Sequence, residues 1–175
     1  MKLNIGAGDT KYEGFLNCDY SDIFNPDYQF DIEKDVWPFK DNSVDEIIIH
    51  HVLEHLGEGY FHALQEMYRV CKPNAIIDIR VPHFKHQYMW HDPTHKRPIT
   101  YYGLRLFSKK LNIEDNSPAS KLGLHFNVDF EIIEHEEIID DYRSNNKIIE
   151  RLPSEIKDKL NDIYEETHIK WKVIK

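Results

Sequence analysis

The stretch KLNIGAGDTKYEGFLNCD, residues 2–19, carries the pattern that decides the fold. A short strand-like run at residues 3–5 leads directly into Gly6-Ala7-Gly8, and a second run at residues 15–18 ends on Asp19. Two such runs with a glycine-rich turn after the first are typical of adjacent strands in a parallel sheet. The sequence therefore predicts an α/β fold in which residue 2 already belongs to the first strand.

The glycines and the acidic residue also predict a ligand. Glycines after a strand remove side chains and expose amide groups, so that the backbone can pass close to a bound molecule. An acidic residue that closes the next strand can accept hydrogen bonds from both hydroxyls of a ribose. Gly6, Gly8 and Asp19 therefore indicate a nucleoside-bearing cofactor. The alternative for the glycine pair is a tight turn that binds nothing.

The spacing argues against a dinucleotide such as NAD. Lys11 stands where the third glycine of the dinucleotide fingerprint would fall. Asp19 follows Gly8 by 11 positions, whereas the dinucleotide fold places its acid about 20 residues on. A full helix scarcely fits between the two predicted strands, so a pyrophosphate on a helix N-terminus is poorly supported.

Four further segments follow in order: residues 31–39, residues 41–56 with the sequence HVLEH at 51–55, residues 66–74 and a predicted strand at 75–83. Together with residues 2–19 they resemble the class I S-adenosylmethionine-dependent methyltransferases, specifically a small bacterial and phage group with an HVLEH segment. The resemblance is dense over residues 2–83 and continues through 91–95. It implies a Rossmann-like, mostly parallel sheet with helices on both faces and an antiparallel C-terminal strand pair, truncated at the N-terminus.

By position, the resemblance also implies S-adenosylmethionine as the cofactor. Gly6 and Gly8 would flank its methionine part, and Asp19 would hold the ribose. The residues that the resemblance assigns to the cofactor are Gly6, Ala7, Gly8, Asp19, Tyr20, Asp31, Ile32, His50 and His51. Asp31 and Ile32 would face the adenine, and the two histidines would lie at the end of the fourth strand.

A cluster of histidines follows the predicted strand at 75–81. The four residues His83, His86, His91 and His95 fall within 13 positions, in a loop that should overhang the binding crevice. We expect this loop to serve the acceptor, with His95 as the candidate general base and His51 as the second catalytic candidate. The alternative for His95 is a loop histidine that is hydrogen-bonded to backbone.

Histidines also bind metal ions, and the cluster could take Asp92 or Asp78 as a further ligand. The spacing matches no standard zinc pattern, so the sequence predicts no metal. His51 and His55 lie four apart at the start of a predicted helix, on a face that does not include Glu54. In the HExxH pattern a glutamate follows the first histidine, and Val52 holds that position here, which argues against a metalloprotease.

Composition is consistent with one methyltransferase-like domain over residues 1–175. A hydrophobic content of 41% can fill a single core, and no apolar span reaches the membrane-crossing length of about 18 residues. We expect a cytoplasmic protein whose two cysteines are buried free thiols. The net charge of −9 argues against nucleic-acid binding. An uncovered cofactor edge and a terminal strand containing Trp171 make a homodimer a reasonable expectation.

A coarse reading of periodicity completes the predicted elements. Strands are expected near 2–6, 15–18, 45–50, 75–81, 125–136 and 169–175, the last one as an edge or hairpin strand. Helices are expected at 60–71, after a Thr100 cap, and after Pro153. The segments 112–121 and 140–147 look like loops.

The leading hypothesis is a methyltransferase that acts on an oxygen or nitrogen atom of a small molecule. One alternative is a cofactor-binding domain without methyl transfer, with a partner or sensor role. Another is a different enzyme that uses the same cofactor, such as a lyase.

Overall fold

The structure is a computed structural model that describes residues 1–114, 120–139 and 151–175. Its strands form a seven-stranded sheet in the order β3-β2-β1-β4-β5-β7-β6. They are β1 (Lys2–Ile5), β2 (Leu16–Asp19), β3 (Tyr28–Gln29), β4 (Val44–His50), β5 (Cys71–Pro82), β6 (Phe130–Ile139) and β7 (Tyr164–Val173). Strands β1 to β5 pair in parallel, and β7 is antiparallel to both β5 and β6. The predicted Rossmann-like sheet with its antiparallel C-terminal pair is confirmed.

Helix α1 and the hydrophobic core lie together on one face of this sheet. The helices are α1 (Tyr60–Val70), α2 (Gln87–His91), α3 (Tyr101–Arg105), α4 (Lys109–Glu114), α5 (Leu122–His125) and α6 (Ser154–Lys157). Helix α1 buries a stripe at helical spacing that includes Leu64 and Met67, and this stripe belongs to the same core as Ile77 and Trp171. The Trp171 indole is fully buried and stacks on Phe130 with ring centroids 4.4 Å apart.

The opposite face of the central strands carries mostly polar side chains. Cross-strand register puts Ile48, Asp78 and Lys170 side by side on this face. Ion pairs such as that between Lys170 and Glu134, 2.9 Å apart, satisfy its charges. The β1–β2 and β2–β3 connections at residues 6–15 and 20–27 contain no helix. The first crossover is therefore cropped, as the spacing predicts.

Two sequence expectations for the C-terminal part are wrong. Residues 122–125 form α5, so β6 begins only at Phe130. The helix after Pro153 is a single turn that leaves Ile156 exposed. Of the two alternatives for the last strand, the antiparallel pairing of β7 with β6 agrees with the hairpin and not with the edge, since β7 lies inside the sheet between β5 and β6.

The interior position of β7 buries Trp171 completely, so this residue gives no support to a homodimer. The predicted Thr100 cap of α3 is confirmed, since the threonine side chain accepts a hydrogen bond from the Gly103 N–H. The predicted loop at 140–147 lies outside the described residues, and the one at 112–121 lies partly outside them. No helix in the described ranges has the length and apolarity needed to cross a membrane.

Candidate functional site

The candidate site lies where the strand order of the sheet reverses, between β1 and β4. In open α/β sheets the carboxyl ends of the strands form a binding crevice at such a point. The glycine turn follows β1, and His51-Val52 follows β4. The two segments touch: a Cβ built on Gly6, which has φ +65°, would lie 2.3 Å from Cγ2 of Val52. Gly6 is therefore required for packing against Val52 whether or not a ligand binds.

The glycine turn offers space rather than hydrogen-bond donors. The amides of Gly6 and Ala7 donate to the Cys18 carbonyl at 2.8 and 3.1 Å, and the Gly8 amide donates to Oδ2 of Asp19 at 2.9 Å. The expectation of exposed amides is thus wrong, because the turn binds back to β2. Gly8 has φ +50°, and no atom lies within 4 Å of the place a Cβ would occupy. This side of the turn is open to a ligand.

Asp19 lies at the carboxyl end of β2 beside this open space, as the sequence predicts. Its Oδ1 accepts a hydrogen bond from the Ser21 amide at 2.9 Å, and its Oδ2 accepts one from the Gly8 amide. Each carboxylate oxygen keeps a second lone pair that a hydroxyl could use. The neighbouring Tyr20 is exposed. The assignment of these two residues to a ribose stays a prediction.

Asp31 and Ile32 follow β3 and lie on the same side of the β1–β4 reversal as β2. The Asp31 carboxylate accepts a hydrogen bond from the Lys34 ammonium at 2.6 Å and another from the Glu33 amide at 2.9 Å. The hydrogen bond from Lys34 lowers the pKa of Asp31. Ile32 packs against the edge of the core. Their predicted place at an adenine ring is not tested by these contacts.

The adjacent residues His50 and His51 lie in two different environments. His50 lies on the polar face of the sheet, with Nε2 2.8 Å from Oδ1 of Asp78 and Nδ1 3.4 Å from the Tyr12 hydroxyl. His168 contacts the same Asp78 oxygen at 3.0 Å. Burial opposes ionisation of Asp78, but the two histidines hold its pKa below the usual range.

His51 turns away from the sheet because its φ is +55°. Its Nε2 lies 2.9 Å from Oε1 of Glu166, and its Nδ1 lies 3.6 Å from Oε1 of Glu54, an ion-pair distance too long for a hydrogen bond. The hydrogen bond with Glu166, helped by Glu54, raises the pKa of His51 to about 9. His51 therefore carries a proton at neutral pH.

The predicted helix start at residues 51–55 is wrong. Helix α1 begins only at Tyr60, and Leu53–His55 form a single 3-10 turn.

A pocket of about 580 Å³ opens at the carboxyl ends of β4 and β5. The titratable side chains in its lining include His51, Glu54, His55, His91, His95 and Glu166. Of the four clustered histidines, His91 and His95 reach this pocket, whereas His83 and His86 are buried. Burial lowers the pKa of His83. The structure thus unites the two catalytic candidates, His51 and His95, around one cavity.

Two carboxylates of this pocket escape sequence reasoning. Glu54 is assigned to a different helical face by the sequence, but its side chain is only 1% exposed and lies against His51. Glu166 comes from β7, 115 positions from His51. A charged residue inside the HVLEH segment is a local signal for Glu54. For Glu166 the sequence holds no local signal, because the antiparallel return of β7 creates the contact.

Residues 11–79 match the family model described as a methyltransferase domain. The chain has the fold of the class I S-adenosylmethionine-dependent methyltransferases. A methyltransferase of this kind from Archaeoglobus fulgidus superposes with a TM-score of 0.64 at 21% identity, covering 98% of this chain and 85% of that one.

Two further structures extend this fold comparison. The methyltransferase fold is shared with phosphoethanolamine N-methyltransferase 2 of Haemonchus contortus, solved with S-adenosyl-L-methionine (TM-score 0.58, 12% identity, 99% of this chain and 48% of that one). It is also shared with the [4+2]-cyclase SpnF (TM-score 0.58, 15% identity, 99% and 75%). A comparison with curated protein sequences gave no match.

Proposed function

We propose that this chain is an S-adenosylmethionine-dependent methyltransferase acting on an oxygen or nitrogen atom of a small molecule. The observation that carries the proposal is the junction of two sites. Val52 packs against Gly6 of the glycine turn, and the preceding residue, His51, lines the pocket. A cofactor at the glycine turn would have its reactive end next to the pocket, as an in-line transfer from sulfur to acceptor requires.

The cofactor side of the proposal rests on the β1–β2 corner. The open space at Gly8 admits a ligand, and the Asp19 carboxylate beside it can receive the ribose hydroxyls. The methyltransferase-domain match covers Asp19, Asp31 and the histidines after β4. The amides of Gly6, Ala7 and Gly8 already donate hydrogen bonds to residues of β2. These three residues would therefore provide space for the methionine part of the cofactor and not hydrogen bonds to it.

The acceptor side is the pocket beneath the histidine loop. Its volume of about 580 Å³ lies within the range of small-molecule sites, about 300–1,000 Å³. The Nδ1–H of His95 donates to the Met89 carbonyl at 2.9 Å, which leaves its Nε2 free to act on an acceptor. Both ring nitrogens of His51 face carboxylates, so His51 would position the reactants rather than take a proton.

A second candidate function is another reaction on the same fold. The similarity to SpnF favours this candidate, because SpnF has the same fold and is described as a [4+2]-cyclase. A binding domain without turnover is the third possibility. Product analysis separates the first two, and a bound cofactor without any product identifies the third. Residues 1–175 are taken as a single domain, and a cytoplasmic location and a homodimer stay sequence-based expectations.

Calorimetry with S-adenosylmethionine and Asp19→Ala tests the cofactor site. The variant removes charge-assisted hydrogen bonds, so the affinity should fall by about 1.5–3 kcal/mol per bond lost. Asp9→Ala, an exposed change in the same turn, is the matched control and should bind like the wild type. Unchanged binding by a folded Asp19→Ala protein would show that the nucleoside lies elsewhere.

The acceptor assignment is tested by His95→Ala and His95→Asn. Loss of a group that acts on the acceptor proton should lower turnover by about 10²–10⁴-fold, while S-adenosylmethionine affinity stays close to the wild-type value. An amide can orient an acceptor but cannot perform the chemistry of an imidazole, so His95→Asn should be nearly as damaging. Equal losses of binding and turnover would make His95 a structural clasp for the loop.

A further inference from the structure

The Glu54 carboxylate is a buried group without a hydrogen-bond partner among the described residues. Its side chain is 1% exposed, and within the described parts of the chain neither of its oxygens has a hydrogen-bond partner. Burying an ionised carboxylate without partners is costly unless a charge or a metal ion compensates it. The nearby His51 imidazole is 3.6 Å away and is directed mainly at Glu166.

Two histidines converge on this carboxylate. Glu54, His55 and His95 each offer one potential ligand atom, and these three atoms lie within 4.8 Å of one another. Tetrahedral ligands at about 2.1 Å from zinc are about 3.4 Å apart, so modest side-chain rotations would close the set. The His55 and His95 rings contact each other at 4.6 Å between centroids, at 72°.

Hydrogen bonds fix both histidines in the tautomer that a metal requires. The Nδ1–H of His95 donates to the Met89 carbonyl at 2.9 Å. The Thr94 hydroxyl donates to Asp92 at 2.6 Å, so its oxygen is left to accept the Nδ1–H of His55 at 2.8 Å. In the neutral imidazole of each residue, the ring proton is thus on Nδ1 and the lone pair on Nε2. Metal-binding histidines almost always donate their other N–H in this way, to a carbonyl, carboxylate or similar partner.

The backbone holds the same cluster in place. The amides of Lys96 and Arg97 donate to the Glu54 carbonyl at 2.7 and 3.3 Å. The Arg97 guanidinium adds a bond of 2.7 Å to the Gly57 carbonyl and lies over the Tyr60 ring at 4.5 Å. The histidine loop is thus docked on the Leu53–His55 turn, and His95 stays beside Glu54.

We infer that Glu54, His55 and His95 form a binding site for a divalent transition-metal ion that opens into the acceptor pocket. Two imidazoles and a carboxylate suit zinc or iron, and a three-residue set leaves a coordination position for a further ligand. In this pocket the further ligand would be an oxygen atom of the acceptor, whose hydroxyl pKa the metal would lower. With the metal bound, the Nε2 of His95 would be a ligand and would not itself take the acceptor proton, and either role predicts the loss of turnover in His95→Ala. The part that concerns the acceptor rests on the proposed methyl transfer, whereas the metal site does not.

The inference reverses the sequence expectation of no metal. That expectation considers the loop histidines with Asp92 or Asp78, and it rejects the HVLEH segment because Val52 replaces the glutamate of HExxH. The structure joins the end of HVLEH to a histidine 40 positions later. Asp92 belongs to the outer shell through Thr94, and Asp78 pairs with His50 on the polar face.

The test is titration of tag-free, chelator-treated full-length protein with Zn²⁺ and, separately, Co²⁺, without S-adenosylmethionine. We expect one equivalent to bind and to raise the melting temperature, because the metal binds only the folded state. His95→Ala and Glu54→Gln should weaken binding by at least about 100-fold, and Thr94→Val by about 10–100-fold through loss of the outer-shell bond. The exposed His125→Ala is the matched control and should bind like the wild type.

Three results would overturn the inference. One is the absence of stoichiometric binding at micromolar metal, which would mean that His51 alone compensates Glu54. Another is binding that persists in a folded His95→Ala protein, and the third is binding lost equally in His125→Ala, which would indicate surface histidines. Because cofactor is absent, failure here leaves the calorimetry with S-adenosylmethionine unaffected, and the two proposals fail separately.

Discussion

Glu54 and Glu66 are two buried glutamates close in sequence with opposite surroundings. Glu66 of α1 binds Arg69 through both oxygens, at 2.8 and 2.7 Å, and also accepts the Trp37 amide at 2.7 Å. Glu54 has no hydrogen-bond partner for its carboxylate within the described residues. A buried polar group is ordinarily satisfied by the fold. The satisfied glutamate therefore belongs to the architecture, whereas Glu54, whose nearest counter-charge is His51 at 3.6 Å, is the residue on which the proposed metal site rests.

The role of Glu66 is to attach the long β3–β4 connection to α1. Arg69, which it orients, also donates to the carbonyls of Trp37 and Phe39 at 3.0 and 2.9 Å. Trp37 is almost completely buried. This connection contains no helix. The Glu66–Arg69 ion pair and its hydrogen bonds to the backbone of Trp37 and Phe39 therefore hold the connection against α1.

The largest stability effect is expected for Glu66→Gln. The change breaks a largely buried ion pair, which costs about 3–5 kcal/mol, and we expect about 3 kcal/mol because Arg69 is still 27% exposed. Urea denaturation at neutral pH measures it. The matched control is Asp41→Asn, which removes the 68% exposed partner of the same arginine and should cost less than about 1 kcal/mol.

The contribution of Glu66 to stability should also depend on pH. Burial opposes the charge on Glu66, but the hydrogen bonds from Arg69 and the Trp37 amide hold its pKa below the usual value, and His62 acts in the same direction. A lowered pKa in the folded state stabilises the protein above the unfolded-state pKa, and this contribution is lost as the pH falls through the folded-state pKa. The stability difference between wild type and Glu66→Gln should therefore narrow in acid. A constant difference would contradict the ion-pair explanation.

The sequence predicts best what is local. Residues 2–19 contain two strands, the turn between them and Asp19 within one short stretch, so periodicity and glycine positions are enough to locate the β1–β2 corner. The stripe of α1 is equally local. By contrast, Trp171 is predicted on an edge or hairpin strand, and alternation alone cannot decide between the two, because it does not reveal that β7 lies inside the sheet between β5 and β6.

The pocket shows the same limit more sharply. His95 and His51 are recognisable as candidates, since histidine chemistry is readable from residue type and from their places after strands. Their partners are not, because Glu166 reaches His51 only through the return of β7, and Glu54 reaches His95 only through the docking of the loop on the Leu53–His55 turn. The prediction of a helix that starts at residue 51, well before the start of α1 at Tyr60, conceals Glu54, since it assigns that side chain to the wrong face.

The smallest stability effect is expected for Glu54→Gln in the presence of a chelator. The variant loses only the ion pair with His51 at 3.6 Å, and His51 keeps its closer partner Glu166 at 2.9 Å. A neutral amide is also less costly to bury than a charge, so the free energy of unfolding should change by less than about 1 kcal/mol. Saturating Zn²⁺ should then stabilise the wild type and leave the variant unchanged. If Glu54→Gln instead costs as much as Glu66→Gln without metal, the two glutamates are both structural, and the contrast between a satisfied and an unsatisfied carboxylate loses its functional meaning.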